Sequence, residues 1–151
     1  MSRSASLLTM LEQLVPAMGA GILFKHANEI FLVKNKDKGL WCVPGGMVSA
    51  KDLTPKDTAI REFREELGMF PGYAETHKSC ITQNAEGITY VTILMESDTR
   101  FEPVKLDEAE LEKAQWFNIE KLPKDSEMLP ECKAAIESFK FEVATKFAGM
   151  K

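Results

Sequence analysis

The chain has 151 residues, of which 44% are hydrophobic and 28% charged, with 19 Lys+Arg against 23 Asp+Glu and a net charge of −4. That is one domain's worth of an ordinary globular composition, and it excludes disordered, collagen-like and fibrous classes. The acidic balance also argues against a protein that grips a nucleic-acid backbone by bulk electrostatics, so any phosphate has to be met locally.

Leu7, Leu8, Leu11 and Leu14 recur at helical spacing before Pro16 and predict a short amphipathic helix over about residues 5–15, a packing element or the seam of a homodimer. The stretch is broken by Glu12 and lacks the long apolar core of a signal peptide, and no run approaches the ~18 apolar residues of a membrane span. A cytoplasmic location without membrane partners is therefore expected. Cys42, Cys80 and Cys132 are widely spaced and contain no CxxC pair, which favours reduced thiols over a disulfide framework or a zinc site.

From Met18 to Lys34, two β-rich runs flank the polar stretch 25–28 and predict a hairpin. A strand follows over 40–43, with Pro44-Gly45-Gly46 as its terminator. Thr54, Pro55 and Asp57 supply the cap, first-turn proline and capping-box acid of a helix that runs to Leu67 and stops at Gly68. Strands are expected over 77–83, 88–97 and 115–119, and a last helix over about 130–147. With no repeat or linker, residues 1–151 read as a single domain flanked by two helices.

The informative segment is Arg61-Glu62-Phe63-Arg64-Glu65-Glu66-Leu67-Gly68. On a helix, Ala59, Ile60, Phe63 and Leu67 share a packing arc, while Glu62, Glu65 and Glu66 share the neighbouring one, expected to face a cleft. Each like-charge pair at such spacing costs an isolated helix ~0.2–0.5 kcal/mol. A solvated acidic face is the commonplace reading. A hard divalent cation that takes oxygen ligands is the functional one, favoured by the Pro-Gly-Gly turn whose bare backbone lies just upstream.

Together these residues resemble the signature of the Nudix hydrolase family, G-x5-E-x7-R-E-U-x-E-E-x-G-U with U a bulky aliphatic residue. Gly46 supplies the first glycine, residues 61–69 match the second half with Phe63 in the aliphatic slot, and Trp41 to Gly46 and Trp116-Phe117 resemble the flanking strands. The resemblance covers roughly residues 18–123. One departure stands out: the loop from Gly46 to Arg61 is one residue longer than the pattern, and Asp52 holds the slot usually occupied by Glu.

The resemblance implies an α/β fold, an α/β/α sandwich with a mixed central sheet. It also implies a hydrolase acting on the phosphoanhydride bond of a nucleoside diphosphate linked to another moiety. Glu62, Glu65 and Glu66 would hold Mg²⁺, with Mn²⁺ as a substitute and a Gly45 or Gly46 carbonyl completing the set. Arg61 would organise them with Asp52. The proton acceptor is expected to be Glu65, Glu66, or a glutamate of the acidic stretch 107–112, with Glu110 and Glu112 as candidates. Among the aromatic residues, Phe24, Phe70, Tyr73 and Tyr90 could stack on a base, and Lys34, Lys36 and Lys38 could meet phosphate. His26 and His77 have no metal-ligand spacing and read as structural. An ADP-ribose or nucleotide-sugar type of substrate is favoured over an RNA 5′ end, because the acidic chain offers no evident basic groove. The reading from another class is a non-catalytic nucleotide-binding or protein-interaction module on the same fold.

Overall fold

A computed structural model describes residues 18–141. In chain order these form β1 (Met18–His26), β2 (Glu29–Asn35), β3 (Trp41–Cys42), β4 (Gly45–Met47), α1 (Pro55–Leu67), β5 (Tyr73–Gln83), β6 (Thr89–Ser97), β7 (Leu111–Asn118), a 3₁₀ turn (Asp125–Glu127) and α2 (Pro130–Phe139). The N-terminal helix expected over about 5–15, and residues 142–147 of the expected C-terminal helix, lie outside the described residues.

The hairpin of β1 and β2 closes on Ala27, which takes the left-handed conformation (φ 52°), and its strands pair at Lys25–Ile30 and His26–Glu29. Beyond those pairs they part. β1 runs parallel to β6, and β2 runs antiparallel to β7. β3 pairs with β2 and β4 with β1, while β5 closes the far edge against β6, giving a mixed seven-stranded sheet.

Strand alternation splits the apolar residues between the two faces of this sheet. Ile22, Phe24, Phe31 and Val33 pack with Ala59, Phe63 and Leu67 of α1 on one face; Leu23, Ile30 and Leu32 pack with Ala135, Ile136 and Phe139 of α2 on the other. The result is the three-layer α/β/α arrangement the sequence predicted. Phe63 is the hub of the α1 side, with ring centroids 5.3 Å from Phe24, 5.4 Å from Phe70 and 5.7 Å from Phe101. Phe24 is fully buried there and cannot stack on a base, which corrects its assignment as a substrate contact.

α1 begins and ends as its sequence dictates. The Thr54 hydroxyl accepts the Asp57 N–H at 3.1 Å, the Asp57 carboxylate accepts the Thr54 N–H at 3.2 Å, and Gly68 closes the helix at φ 72°. The larger differences from expectation lie at β4, β5, β7 and α2. Gly45–Met47 is itself a strand rather than only a terminator. β5 starts at Tyr73, through a bulge between Glu75 and Lys78 where His77 has φ 59°. β7 starts at Leu111, its polar residues lying on a solvated edge, and α2 stops at Phe139 because Lys140 turns left-handed. Among the described residues no helix is long and apolar enough to cross a membrane.

Phe63→Ala should destabilise the fold by about 3–5 kcal/mol, because the surrounding rings cannot collapse into the space. Phe63→Leu, which keeps most of the volume, should cost much less. Urea midpoints of the two variants measure the difference.

Candidate active site

The site begins where α1 meets β4. The Gly45 N–H donates to Glu66 Oε1 at 2.9 Å, and Glu66 is only 4% exposed. That approach needs bare backbone. A Cβ at Gly46 would fall inside the Glu62 carboxylate, and one at Gly45 would strike the Tyr90 hydroxyl and the Ala20 carbonyl. Burial, followed by the charge of Glu62, pushes the Glu66 carboxyl up to about 8, against the opposing pull of the Gly45 N–H. Glu62 is raised too, by burial first.

Arg61 gathers the remaining acids. Its Nε donates to Asp52 Oδ1 at 3.1 Å and its Nη2 to Asp52 Oδ2 at 2.8 Å, a two-pronged pairing that fits the planar guanidinium. Nη2 also donates to the Met47 carbonyl at 2.9 Å, and Nη1 to Glu62 at 3.0 Å and Glu65 at 3.3 Å. Asp52 further accepts from the Ser49 N–H and the Thr58 hydroxyl, both at 2.9 Å. The Arg61 hydrogen bonds, then that of Ser49, hold the Asp52 carboxyl well below the usual carboxylate range. Leu53, directly after it, is 90% exposed. The lengthened loop thus pushes its extra length into solvent, and the shorter acid still reaches Arg61.

A cavity of about 280 Å³ opens beside Gly45, Gly46 and Glu66, with Tyr90 and Glu110 on its walls. The three helical glutamates are not equivalent around it. Glu66 lines the cavity, Glu62 lies against Gly46 with its side chain 17% exposed, and the Glu65 side chain points outward, 56% exposed. The expected shared cleft-facing arc is corrected accordingly: one acid is buried, one edges the site and one is on the surface.

Of the two loop candidates, Glu110 lines the cavity whereas Glu112 pairs with Lys34 at 3.7 Å away from it. Lys34 is also stacked over Trp41, and Lys36 Nζ donates to the Glu108 carbonyl at 2.6 Å. Neither lysine lines the cavity, each being engaged by the partner just named; Lys38 does line it. These placements correct Lys34, Lys36 and Glu112 as site residues. The cavity also takes in Cys42, Asn84, Glu131 and Cys132, which the sequence reading did not assign to a site. They come from separate elements and carry no local motif.

Among the described residues no three ligating side chains form a ready metal cage. Arg61 occupies Glu62 and Glu65, and Gly45 occupies one oxygen of Glu66. The donors are all oxygen, and two of the carboxylates are crowded and desolvated. That chemistry fits a hard divalent cation of the kind held by one or two carboxylates together with substrate phosphate.

The NUDIX domain family profile matches residues 15–136, and the chain belongs to that family. It is 30% identical over 114 residues to the m7GpppN-mRNA hydrolase of Saccharomyces cerevisiae, a match covering 73% of this chain and 11% of that much longer protein. It is 34% identical over 59 residues to the ADP-ribose pyrophosphatase of Methanocaldococcus jannaschii, covering 37% of this chain and 34% of that one. Among solved structures it resembles the MutT NUDIX hydrolase from Burkholderia pseudomallei, with TM-score 0.65, 25% identity and coverage of 80% and 95% of the two chains.

The depressed Asp52 carboxyl makes its pairing a stabilising contribution above roughly pH 4, the ordinary carboxylate range, that fades as acid protonates it in the folded chain. Asp52→Asn should therefore lower Tm at neutral pH and flatten the decline of Tm on acidification, measured from pH 7 to 2. Leu53→Ser, at an exposed position, should move stability by no more than about 0.5 kcal/mol.

Proposed function

We propose that this chain hydrolyses the phosphoanhydride bond of a nucleoside diphosphate linked to another moiety, of ADP-ribose or nucleotide-sugar type, with a divalent cation, Mg²⁺ or Mn²⁺. The observation that carries the reading is Glu66: a carboxylate buried at a cavity wall, bonded to glycine backbone and pressed against Glu62. A structural role offers no return for that crowding; a cation shared with substrate phosphate does.

Glu62 and Glu66 would hold the cation, with Glu65 reaching in from the outer side. Val48 N–H bonds the Met18 carbonyl and Ile22 N–H bonds the Pro44 carbonyl. Antiparallel alternation then puts Gly46 in a bonded pair with Ala20 and turns the Gly45 N–H and carbonyl out of the ladder. The Gly45 carbonyl is therefore the backbone ligand of choice. When bound, the cation supplies neutralisation of phosphate oxygens and activation of water.

The chain's own residues do the rest. Arg61 holds Glu62 and Glu65 in place, itself anchored by Asp52, so Arg61 and Asp52 are positioning residues. Glu110, which lines the same cavity as Glu66 and raises its carboxyl by charge, is the loop group suited to take a proton; Glu66 is the alternative. The small, acid-lined cavity favours a small-molecule substrate. Likeness to the yeast m7GpppN-mRNA hydrolase favours a second reading, cleavage at an RNA 5′ end.

A panel of ADP-ribose, nucleotide sugars and capped RNA, assayed with Mg²⁺ and Mn²⁺, separates the two readings; sugar-linked substrates should turn over and capped RNA should not. Glu66→Gln should lower kcat at least 100-fold with an unchanged circular dichroism spectrum, and Glu112→Gln should stay near wild type. Asp52→Ala should cost about 10–100-fold in activation by metal, as loss of a ligand-orienting group does. Independently of turnover, Mn²⁺ at 100 times its Kd should add about 2.7 kcal/mol of stability. A Glu62→Gln, Glu66→Gln double variant should show no such Tm shift; turnover and metal response indistinguishable from wild type in these variants would overturn the proposal.

A further inference from the structure

The loop with the extra residue is held to α1 at several points, one of them a residue with no part yet in the proposed chemistry. The Ser49 N–H donates to Asp52 Oδ2 at 2.9 Å and the Asp52 N–H returns to the Ser49 carbonyl at 3.0 Å, so residues 49–52 close on themselves as a turn. Leu53 is exposed, yet its N–H donates to Asp57 Oδ2 at 3.0 Å, the oxygen that also accepts the Thr54 N–H. The remaining hold is Thr58. Its hydroxyl donates to Asp52 Oδ2 at 2.9 Å from a residue only 1% exposed.

A buried position on this helix has no need of a hydroxyl for packing. Alanine is the better helix former, and valine has the same shape without a polar group to take out of water. A threonine in mid-helix can turn its hydroxyl back on the carbonyl four residues earlier. Thr58 donates across to the loop instead. It stands three positions before Arg61, on the same side of α1, so the helix grips one carboxylate with two side chains. Asp52 Oδ2 thereby receives the Ser49 N–H, the Thr58 hydroxyl and Arg61 Nη2, while Oδ1 receives Arg61 Nε. The torsion that turns an aspartate carboxylate is broad and soft. Donors from two directions besides Arg61 fix its plane.

Resting on the reading of this site as a divalent-cation centre, we propose that Thr58 is a positioning residue for it. The Thr58 hydroxyl fixes the Asp52 carboxylate, Asp52 fixes Arg61, and Arg61 holds Glu62 and Glu65. A longer loop leaves its acid more arrangements, and the bond from the helix removes them. Without the hydroxyl, Asp52 keeps Ser49 and Arg61 but is free to turn; Arg61 follows the carboxylate, and Nη1 moves off the two glutamates.

Thr58→Val removes the donor and keeps the shape, whereas Thr58→Ser keeps the donor. Titration of Mn²⁺ into the full chain, read by the electron paramagnetic resonance signal of the free ion, measures cation affinity without turnover. Thr58→Val should weaken binding about tenfold, the low end for loss of a ligand-orienting group, and Thr58→Ser should stay within about twofold of wild type. Thr58→Ala should match Thr58→Val, which separates loss of the hydroxyl from any misfit of the valine. In an Asp52→Ala background Thr58→Val should weaken Mn²⁺ no further, because the hydroxyl acts through that carboxylate. Four results would overturn the assignment: a lower Tm with unchanged Mn²⁺ affinity in Thr58→Val, an equal loss in Thr58→Ser, a full additional loss in the Asp52→Ala background, or a wild type that binds no Mn²⁺. Hydrolysis of the substrate panel by wild type, run in parallel, tests the parent reading separately. Weaker Mn²⁺ binding in Thr58→Val with no substrate hydrolysed by wild type overturns the hydrolase and leaves the positioning role. Hydrolysis by wild type with equal Mn²⁺ affinity in wild type and Thr58→Val overturns the positioning role and leaves the hydrolase.

Discussion

The hydrogen bond from the Gly45 N–H to Glu66 ties α1 to the strand that fills the gap between β1 and β2, and the rest of the site depends on it. It requires helix and backbone to meet at hydrogen-bond distance with no side chain between them. That single requirement accounts for glycine at 45 and 46, and it keeps a carboxylate where burial and its neighbours oppose its charge. Without the bond, Glu66 would be an unpaired buried acid. With it, the acid is retained and held at the cavity wall.

Charge around α1 is balanced by one cation in a fixed place. Arg61 spends its Nε and Nη2 on Asp52 and the Met47 carbonyl, leaving Nη1 to face Glu62 and Glu65. A planar fork can do this and a lysine cannot, because several donors must point in set directions at once. Glu66 receives nothing from Arg61. The asymmetry separates three acids that look alike in sequence: Glu65 and the half-buried Glu62 are paired with Arg61, and the buried Glu66 is not.

The divergence of β1 from β2 shapes everything on the α2 side. Had the two strands paired along their full length, β3 and β4 would have no place in the sheet. The cavity lies among α1, β3, β4, β6, the turn before β7 and the start of α2. A polar ligand entering it meets acids from three of those directions, Glu66, Glu110 and Glu131, and, among the described residues, a single lining lysine, Lys38.

The sequence by itself determined the elements whose causes are local. The Thr54–Asp57 box, Pro55 and Gly68 bounded α1 because capping acts over three or four residues, and the two β-rich runs around the polar stretch 25–28 announced a hairpin. The Arg61 to Gly68 spacing marked the acids because a helix repeats over that same range. What lay beyond was decided by contacts between distant residues. Phe24 became core, Lys34 was taken by Glu112, Glu110 stayed at the cavity in the turn before β7 while Glu112 lay within the strand, and Glu131 was brought to the cavity from the far end of the chain. Each of those outcomes depends on which strands pair and in what register, and register is set by the whole sheet rather than by any window of sequence.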